Sequence, residues 1–208
     1  MQFNNHSNLK GLHALLGASN YHWLNYDDEK LFKRYLSSYS TTIGTALHEL
    51  AEEHISQGLR LTKTDKKHVL FWLRYKGIPS NVIDINKIFP NLMNYVNDAI
   101  GYSMTPEVIL FYSGNCFGTT DAIKFDNNFL RIHDYKSGDV PAHIEQLEIY
   151  AALFCLEYGY KPKDISIELR IYQNDDVVGH VPEPEEIESV MNKIISFNNK
   201  VEALKEGK

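Results

Sequence analysis

The chain has 208 residues, of which 43% are hydrophobic and 23% are charged, and its formal net charge is −6. This length suits one compact domain with a sizeable core, and the composition is ordinary for a soluble globular protein. The negative charge argues against a protein that coats nucleic acid through a basic surface. It leaves open an enzyme that acts on nucleic acid, because bound divalent cations reverse the charge of an acidic site.

Neither targeting signals nor cysteines point to a particular function. No apolar run approaches the roughly 20 residues that span a bilayer, and residues 1–6 lack the basic stretch that opens a signal peptide. We therefore expect a cytoplasmic protein without membrane association. The two cysteines, Cys116 and Cys155, are too few for a four-ligand zinc or iron–sulfur site. We interpret them as reduced, partly buried thiols.

Helical periodicity dominates the first half of the chain. A short helix carrying Tyr21 and Trp23 is predicted after Gly17, and longer helices are predicted over 42–57, 64–77 and 90–101. The N-terminal aromatic side chains could stack on unpaired bases or simply pack, and packing is the simpler reading. They are Tyr21, Trp23, Tyr26, Phe32, Tyr35 and Tyr39.

Strand patterns appear in the second half. Three strands, a helix, a fourth strand and a final helix are predicted at 107–112, 117–125, 129–136, 141–158, 165–172 and after Pro184. This order predicts an α/β fold in which helices flank a mixed central sheet, with a helical N-terminal elaboration. The whole chain, 1–208, is expected to form one domain. Its parts are a mainly helical 1–105, a sheet and helix over 106–175, and a C-terminal helix over 182–205.

The second and third predicted strands form a hairpin that brings two carboxylates together. If Asn127 and Asn128 form a two-residue loop, counting outward places Asp121 opposite Asp134. Directly opposed residues have Cβ atoms about 4.5–5.5 Å apart, so two ionised carboxylates there destabilise the fold unless a cation lies between them. A divalent cation with oxygen ligands would remove that repulsion. A slip of one residue would move Asp121 to the other face.

Side-chain alternation places Asp134 and Lys136 on the same face as Leu130 and Ile132, which should be the packed face. Charged groups there need partners or a function. A lysine beside metal-bound carboxylates can position an attacking water and neutralise charge on a phosphate. The competing interpretation is an exposed polar hairpin whose acidic and basic residues have no joint role.

A third group comes from the helix predicted over 42–57. His48 and Glu52 lie one turn apart on a face displaced from the apolar stripe. A neutral imidazole can ligate a metal, whereas the alternative is a solvated polar stripe.

Four spaced motifs, in this order, resemble those of RecB-like PD-(D/E)XK nucleases. They are Gly-x-x-x-His at 44–48, Gly-x-x-Asp at 118–121, Asp-x-Lys at 134–136 and Gln-x-x-x-Tyr at 146–150. Residues 13–25, with His13, Ser19 and Trp23, also look like the start of phage-encoded members. The resemblance covers roughly residues 44–172.

The resemblance implies a restriction-endonuclease-like core and a role for each motif residue. The implied metal ligands are His48, Asp121, Asp134 and the backbone carbonyl of Tyr135, with Lys136 assisting the nucleophilic water. Gln146 and Tyr150 would support the site or contact DNA near the scissile phosphate, although ordinary helix packing also explains that pair. Glu52 would be a supporting partner or a ligand of a second metal.

One departure from the family concerns an iron–sulfur cluster. Many relatives, including CRISPR-associated RecB-like exonucleases, hold a cluster with four cysteines, one after the N-terminal Trp-containing segment and three near the C-terminus. Tyr26 follows that segment here, and Cys155 is the last cysteine of the chain. We therefore expect Mg²⁺ or Mn²⁺ as cofactor and no iron–sulfur cluster.

These features predict a metal-dependent deoxyribonuclease, and the resemblance alone implies an exonuclease of phage recombination or replication that acts in the host cytoplasm. Its partners would be DNA and a recombination or replication protein. The main alternative is a nuclease-fold protein that binds DNA or serves as an accessory factor with little turnover. A helical scaffold protein would leave the four motifs as coincidence. Polarity, strand preference, exo- versus endonuclease action, the number of metal ions, the oligomeric state and the biological pathway stay open.

Overall fold

The computed structural model describes residues 5, 7, 14–138 and 140–207. The chain divides into two compact units, Met1–Thr41 and Thr42–Lys208. His13, which opens the N-terminal resemblance, lies outside the described residues.

Residues 14–39 of the first unit include a 3-10 helix and an α-helix. The short helix predicted after Gly17 is a 3-10 helix, Ala18–Asn25, in which the indole Nε1 of Trp23 donates to the carbonyl of Gly17 at 3.1 Å. Helix α1, Asp28–Ser38, follows it. Asp27 caps α1 by accepting from the backbone N–H of Lys30 at 2.8 Å, which satisfies one of the free donors of the first turn.

Five further α-helices follow in the part of the chain that the structure describes. They are α2 (Ser40–Gln57), α3 (Lys66–Tyr75), α4 (Ile85–Gly101), α5 (Glu145–Tyr158) and α6 (Pro184–Lys205). The predicted start of α4 at Pro90 was wrong, since Pro90 lies inside the helix. Asp84 starts it earlier by accepting from the N–H groups of Asn86 and Lys87. Helix α5 begins four residues later than the predicted start at 141.

The described residues form one five-stranded sheet in the order β1-β2-β3-β4-β5. Its strands are β1 (Thr105–Ser113), β2 (Cys116–Asp126), β3 (Phe129–Tyr135), β4 (Ser166–Gln173) and β5 (Asp176–His180). The β3–β4 pair is parallel and the other neighbours are antiparallel. A parallel pair needs a crossover, which α5 supplies. The α/β fold with a mixed sheet and flanking helices is therefore confirmed.

The β2–β3 turn has the predicted length. Asn127 and Asn128 have φ angles of 50° and 57°, as a two-residue type I′ turn requires. Asp126 pairs with Phe129, and the register runs without a slip to Ala122 opposite His133.

The two faces of the sheet pack against different helices. Leu130 and Ile132 join Leu147 and Ala151 of α5 in the larger hydrophobic cluster, so the predicted packed face is confirmed. On the other face Tyr135 stacks on Tyr95 of α4, with ring centroids 5.8 Å apart. None of the helices in the described part of the chain is both long enough and apolar enough to cross a membrane.

Candidate metal and catalytic site

The pairing of β2 with β3 ends at Ala122 and His133, and Asp121 and Asp134 lie just beyond this last pair. Asp121 accepts a hydrogen bond from the backbone N–H of Tyr135 through Oδ2, at 2.8 Å. This side chain takes the place that a strand carbonyl would occupy in a continuing ladder. The two residues therefore follow one register across the hairpin, and Asp121 is anchored to the backbone of the facing strand, which the residue pattern did not indicate.

Asp134 is the most buried charged group of this region, with 2% of its surface exposed. Its Oδ1 accepts from Nζ of Lys136 at 2.9 Å. Its Oδ2 is buried and has no hydrogen-bond partner among the described residues. A buried carboxylate oxygen without a partner is costly, and a cation would relieve that cost.

Burial sets the electrostatics of the two carboxylates. It raises the pKa of Asp121 to about 6, although the hydrogen bond from the backbone N–H of Tyr135 acts to lower it. Burial, followed by the charge of Asp121, raises the pKa of Asp134 to about 6. Burial alone would lower the pKa of Lys136, but the charge and hydrogen bond of Asp134 outweigh it and the pKa is raised. The lysine therefore stays an ammonium at neutral pH.

Helix α2 brings His48 to these carboxylates. Leu47, Leu50 and Ala51 are buried and fix the helix on the fold. The Nδ1 atom of His48 lies 3.5 Å from Oδ1 of Asp121. Burial lowers the pKa of His48, which favours the neutral imidazole that can donate a lone pair to a metal.

Glu107 of β1 is a member of the site that the sequence argument missed. One ligand atom each from His48, Glu107 and Asp121 lies within 4.8 Å of the others, a spacing that fits a shared metal ion. Asp134 is outside this group of three. Glu107 faces Asp121 only in the actual β1–β2 register, which shifts between Phe111 and Ser113. Nothing in the residues of that turn predicts such an irregularity, so Glu107 could not be found from the sequence pattern.

Gln146 and Tyr150 extend the site along α5. The amide Nε2 of Gln146 donates to the phenol oxygen of Tyr150 at 3.2 Å. The Tyr150 ring lies against Gly118, where an added Cβ would stand 2.9 Å from Cε1. Burial is the first cause that raises the pKa of Tyr150, and the charges of Asp121 and Asp134 raise it further. The phenol therefore stays protonated near this acidic cluster.

A family model described as "Protein of unknown function (DUF2800)" matches residues 13–174. The chain belongs to the DUF2800 family. The matched region contains His48, Glu107, Asp121, Lys136 and Tyr150, and it ends within the β4–β5 turn.

Two other comparisons accompany the DUF2800 match. No curated protein sequence matches this chain. The crystal structure of SSO0001 is similar at 12% identity, with 74% of this chain and 85% of that chain covered and a TM-score of 0.31. At that TM-score the likeness carries no argument.

The remaining predicted residues of the DUF2800 chain are placed less centrally. Glu52 is exposed and outside the group of three, and its charge is a minor cause of the raised pKa of Glu107, after burial. Tyr135 contacts the site through its backbone N–H, while its phenol donates to the carbonyl of Ile88 at 3.4 Å. Ligation by its carbonyl stays a prediction. Cys155 is buried and Cys116 partly so, both as free thiols.

Proposed function

We propose that this DUF2800 protein is a Mg²⁺- or Mn²⁺-dependent nuclease of the RecB-like PD-(D/E)XK type that hydrolyses phosphodiester bonds in DNA. One observation carries the proposal. Asp134 is buried and Asp121 is half-buried at the same end of the hairpin, His48 lies beside Asp121, and the ammonium of Lys136 contacts Asp134. These are four of the side chains that the sequence motifs singled out.

The charges and donor types favour a divalent cation. Carboxylate oxygens and a neutral imidazole are ligands that Mg²⁺ or Mn²⁺ accepts. Lys136 can compensate one of the two aspartates, and the second remains without a cation of its own among the described residues. A bound divalent ion would polarise the phosphate and lower the pKa of a bound water.

The chain's own groups have complementary roles. Asp134 holds Nζ of Lys136. Because 30% of the Lys136 side chain is exposed, its ammonium can donate to an incoming phosphate oxygen or to the attacking water. Its raised pKa makes it a charge stabiliser and hydrogen-bond donor rather than a base. The neutral phenol of Tyr150, held by Gln146, provides a further donor near the carboxylates. Exonuclease action in phage recombination or replication follows from the motif resemblance.

The test is degradation of labelled DNA by the purified chain with Mn²⁺. Lys136→Ala should reduce the rate by at least about 100-fold, because it removes a donor aimed at developing charge. Lys124→Ala is the matched control, since Lys124 lies on the same hairpin and pairs with Arg131 away from the carboxylates. Equal rates for the two variants would refute the mechanism. DNA binding without turnover by the unchanged chain would favour the accessory protein instead.

A further inference from the structure

Within β1, Glu107 is the described residue whose backbone has a positive φ angle. Its φ angle is +52°, a left-handed conformation that costs a non-glycine residue about 1–3 kcal/mol and is concentrated at functional sites. The β1–β2 ladder pairs Pro106 with Ala122 and Val108 with Thr120, and the intervening pair, Glu107 with Asp121, is absent. The distortion therefore lies directly opposite a carboxylate of the candidate site.

Packing does not explain why a glutamate occupies this position. Glu107 is exposed, and glycine or asparagine would adopt the left-handed backbone at lower cost. What the glutamate contributes is a carboxylate within 4.8 Å of ligand atoms of His48 and Asp121.

Asp134 defines a second set of donors. It is outside the group formed by His48, Glu107 and Asp121, yet its buried Oδ2 lacks a partner among the described residues. Asp121 is electrostatically coupled to it. Asp121 thus borders both sets, with one carboxylate oxygen 3.5 Å from His48 and the other held by Tyr135 beside Asp134.

We infer that Glu107 is a metal ligand and that Asp121 is shared between two cation positions. The first position takes His48, Glu107 and Asp121, and the second takes Asp121 and Asp134. The first set carries two carboxylates and a neutral imidazole, so one divalent cation neutralises it. Lys136 already offsets Asp134, and the second position therefore binds its cation more weakly. This inference rests on the proposed function for the choice of cation.

The test is Mn²⁺ binding to the full chain without DNA, followed by calorimetry and electron paramagnetic resonance. The unchanged protein should bind two ions of different affinity. Glu107→Gln should weaken the tighter ion at least about tenfold, as loss of a ligand does, and leave the weaker one. Asp134→Asn should remove the weaker ion, and Asp121→Asn should impair both.

Glu53→Gln is the control, because Glu53 lies on α2 and accepts from Gln57 outside the group. Thermal unfolding of each metal-free variant establishes that it is folded. One Mn²⁺ per chain in the unchanged protein, or undiminished binding by Glu107→Gln, would overturn the inference. Because DNA is absent, loss of the proposed nuclease activity and failure of the two-cation arrangement are separate results.

Discussion

The ring of Tyr150 lies on the backbone of Gly118, so closely that a Cβ on that residue would be 2.9 Å from Cε1 of the ring. Gly118 begins the Gly-x-x-Asp motif, and the contact explains why a glycine is needed there. The glycine lets α5 bring a phenol close to the strand that carries Asp121.

Gly118→Ala should destabilise the protein by about 1–3 kcal/mol, because the new methyl group must displace a packed ring. Gly44→Ala is the matched control. Its Cβ would be 3.7 Å from Oγ of Ser137, an ordinary contact, and alanine in a helix is favoured over glycine by about 0.5–1 kcal/mol. Urea unfolding should thus give opposite signs for the two. A Tyr150→Leu background should reduce the cost of Gly118→Ala.

The phenol and the ring of Tyr150 can be separated by substitution. Tyr150→Phe should keep the contact with Gly118 and lose the hydrogen bond from Gln146. It should lower kcat/KM about tenfold and reduce the free energy of unfolding by no more than about 1.5 kcal/mol. Gln146→Ala should have a similar effect on kcat/KM, since Gln146 is exposed and holds the same hydroxyl. Unchanged kinetics in both variants would indicate that Gln146 and Tyr150 only pack and take no part in the reaction.

Asp134→Asn should make the metal-free protein more stable at pH 8, by about 1–3 kcal/mol. The pKa of Asp134 in the folded chain is raised to about 6 from 3.8, so the folded state holds its proton more tightly than the unfolded state. Stability is therefore lost as pH rises from about 4 through 6, and asparagine avoids that loss.

Urea unfolding with a chelator at pH 8 and pH 4.5 measures this difference, which should shrink at the lower pH. Saturating Mn²⁺ should reverse the order at pH 8, because a ligand that binds only the folded state stabilises it. A variant less stable than the parent at pH 8 without metal would contradict the burial argument.

Gln173 fixes the segment that follows Lys136. Its Nε2 donates to the carbonyls of Gly138 and Val140 at 2.6 and 2.7 Å, and its Oε1 accepts from the N–H of Ala142 at 2.8 Å. Gln173→Ala should cost about 2–4 kcal/mol, from about three hydrogen bonds of about 0.5–1.5 kcal/mol each.

Gln57→Ala supplies the comparison for Gln173→Ala, since the exposed Gln57 makes a single 3.3 Å bond to Glu53. Its stability should stay within about 0.5 kcal/mol of the parent. If Gln173→Ala behaves in the same way in urea, the segment after Lys136 is held by other contacts.

Local chemistry made the hairpin predictable. Asn127 and Asn128 determine a turn of two residues, and the turn determines which residues of β2 and β3 face one another. The register that follows brings Asp121 to Asp134, and alternation puts Lys136 with it. Helix α2 was predictable from its apolar spacing, although nothing in that spacing says how near His48 comes to Asp121.

Long-range and irregular features were not predictable in the same way. Glu107 enters the site through a strand distortion and a register shift, which depend on tertiary packing rather than on the pattern of residues. Strand β5 is short, and it was missed even though Asn174 and Asp175 form a turn with φ angles of 54° and 58°. Helix α1 was not predicted, although Leu31, Phe32, Tyr35 and Leu36 recur at helical spacing, and none of its residues is buried.

Glu107, Asp121 and Asp134 come from the continuous meander β1–β3 and Lys136 follows it directly, whereas His48 comes from α2, far earlier in the chain. A cation held between His48 and Asp121 would link α2 to the meander, two parts of the fold that are far apart in the chain. Metal binding would then neutralise the carboxylates of the meander and hold α2 against it at the same time. The helix would be held most firmly in the metal-bound protein.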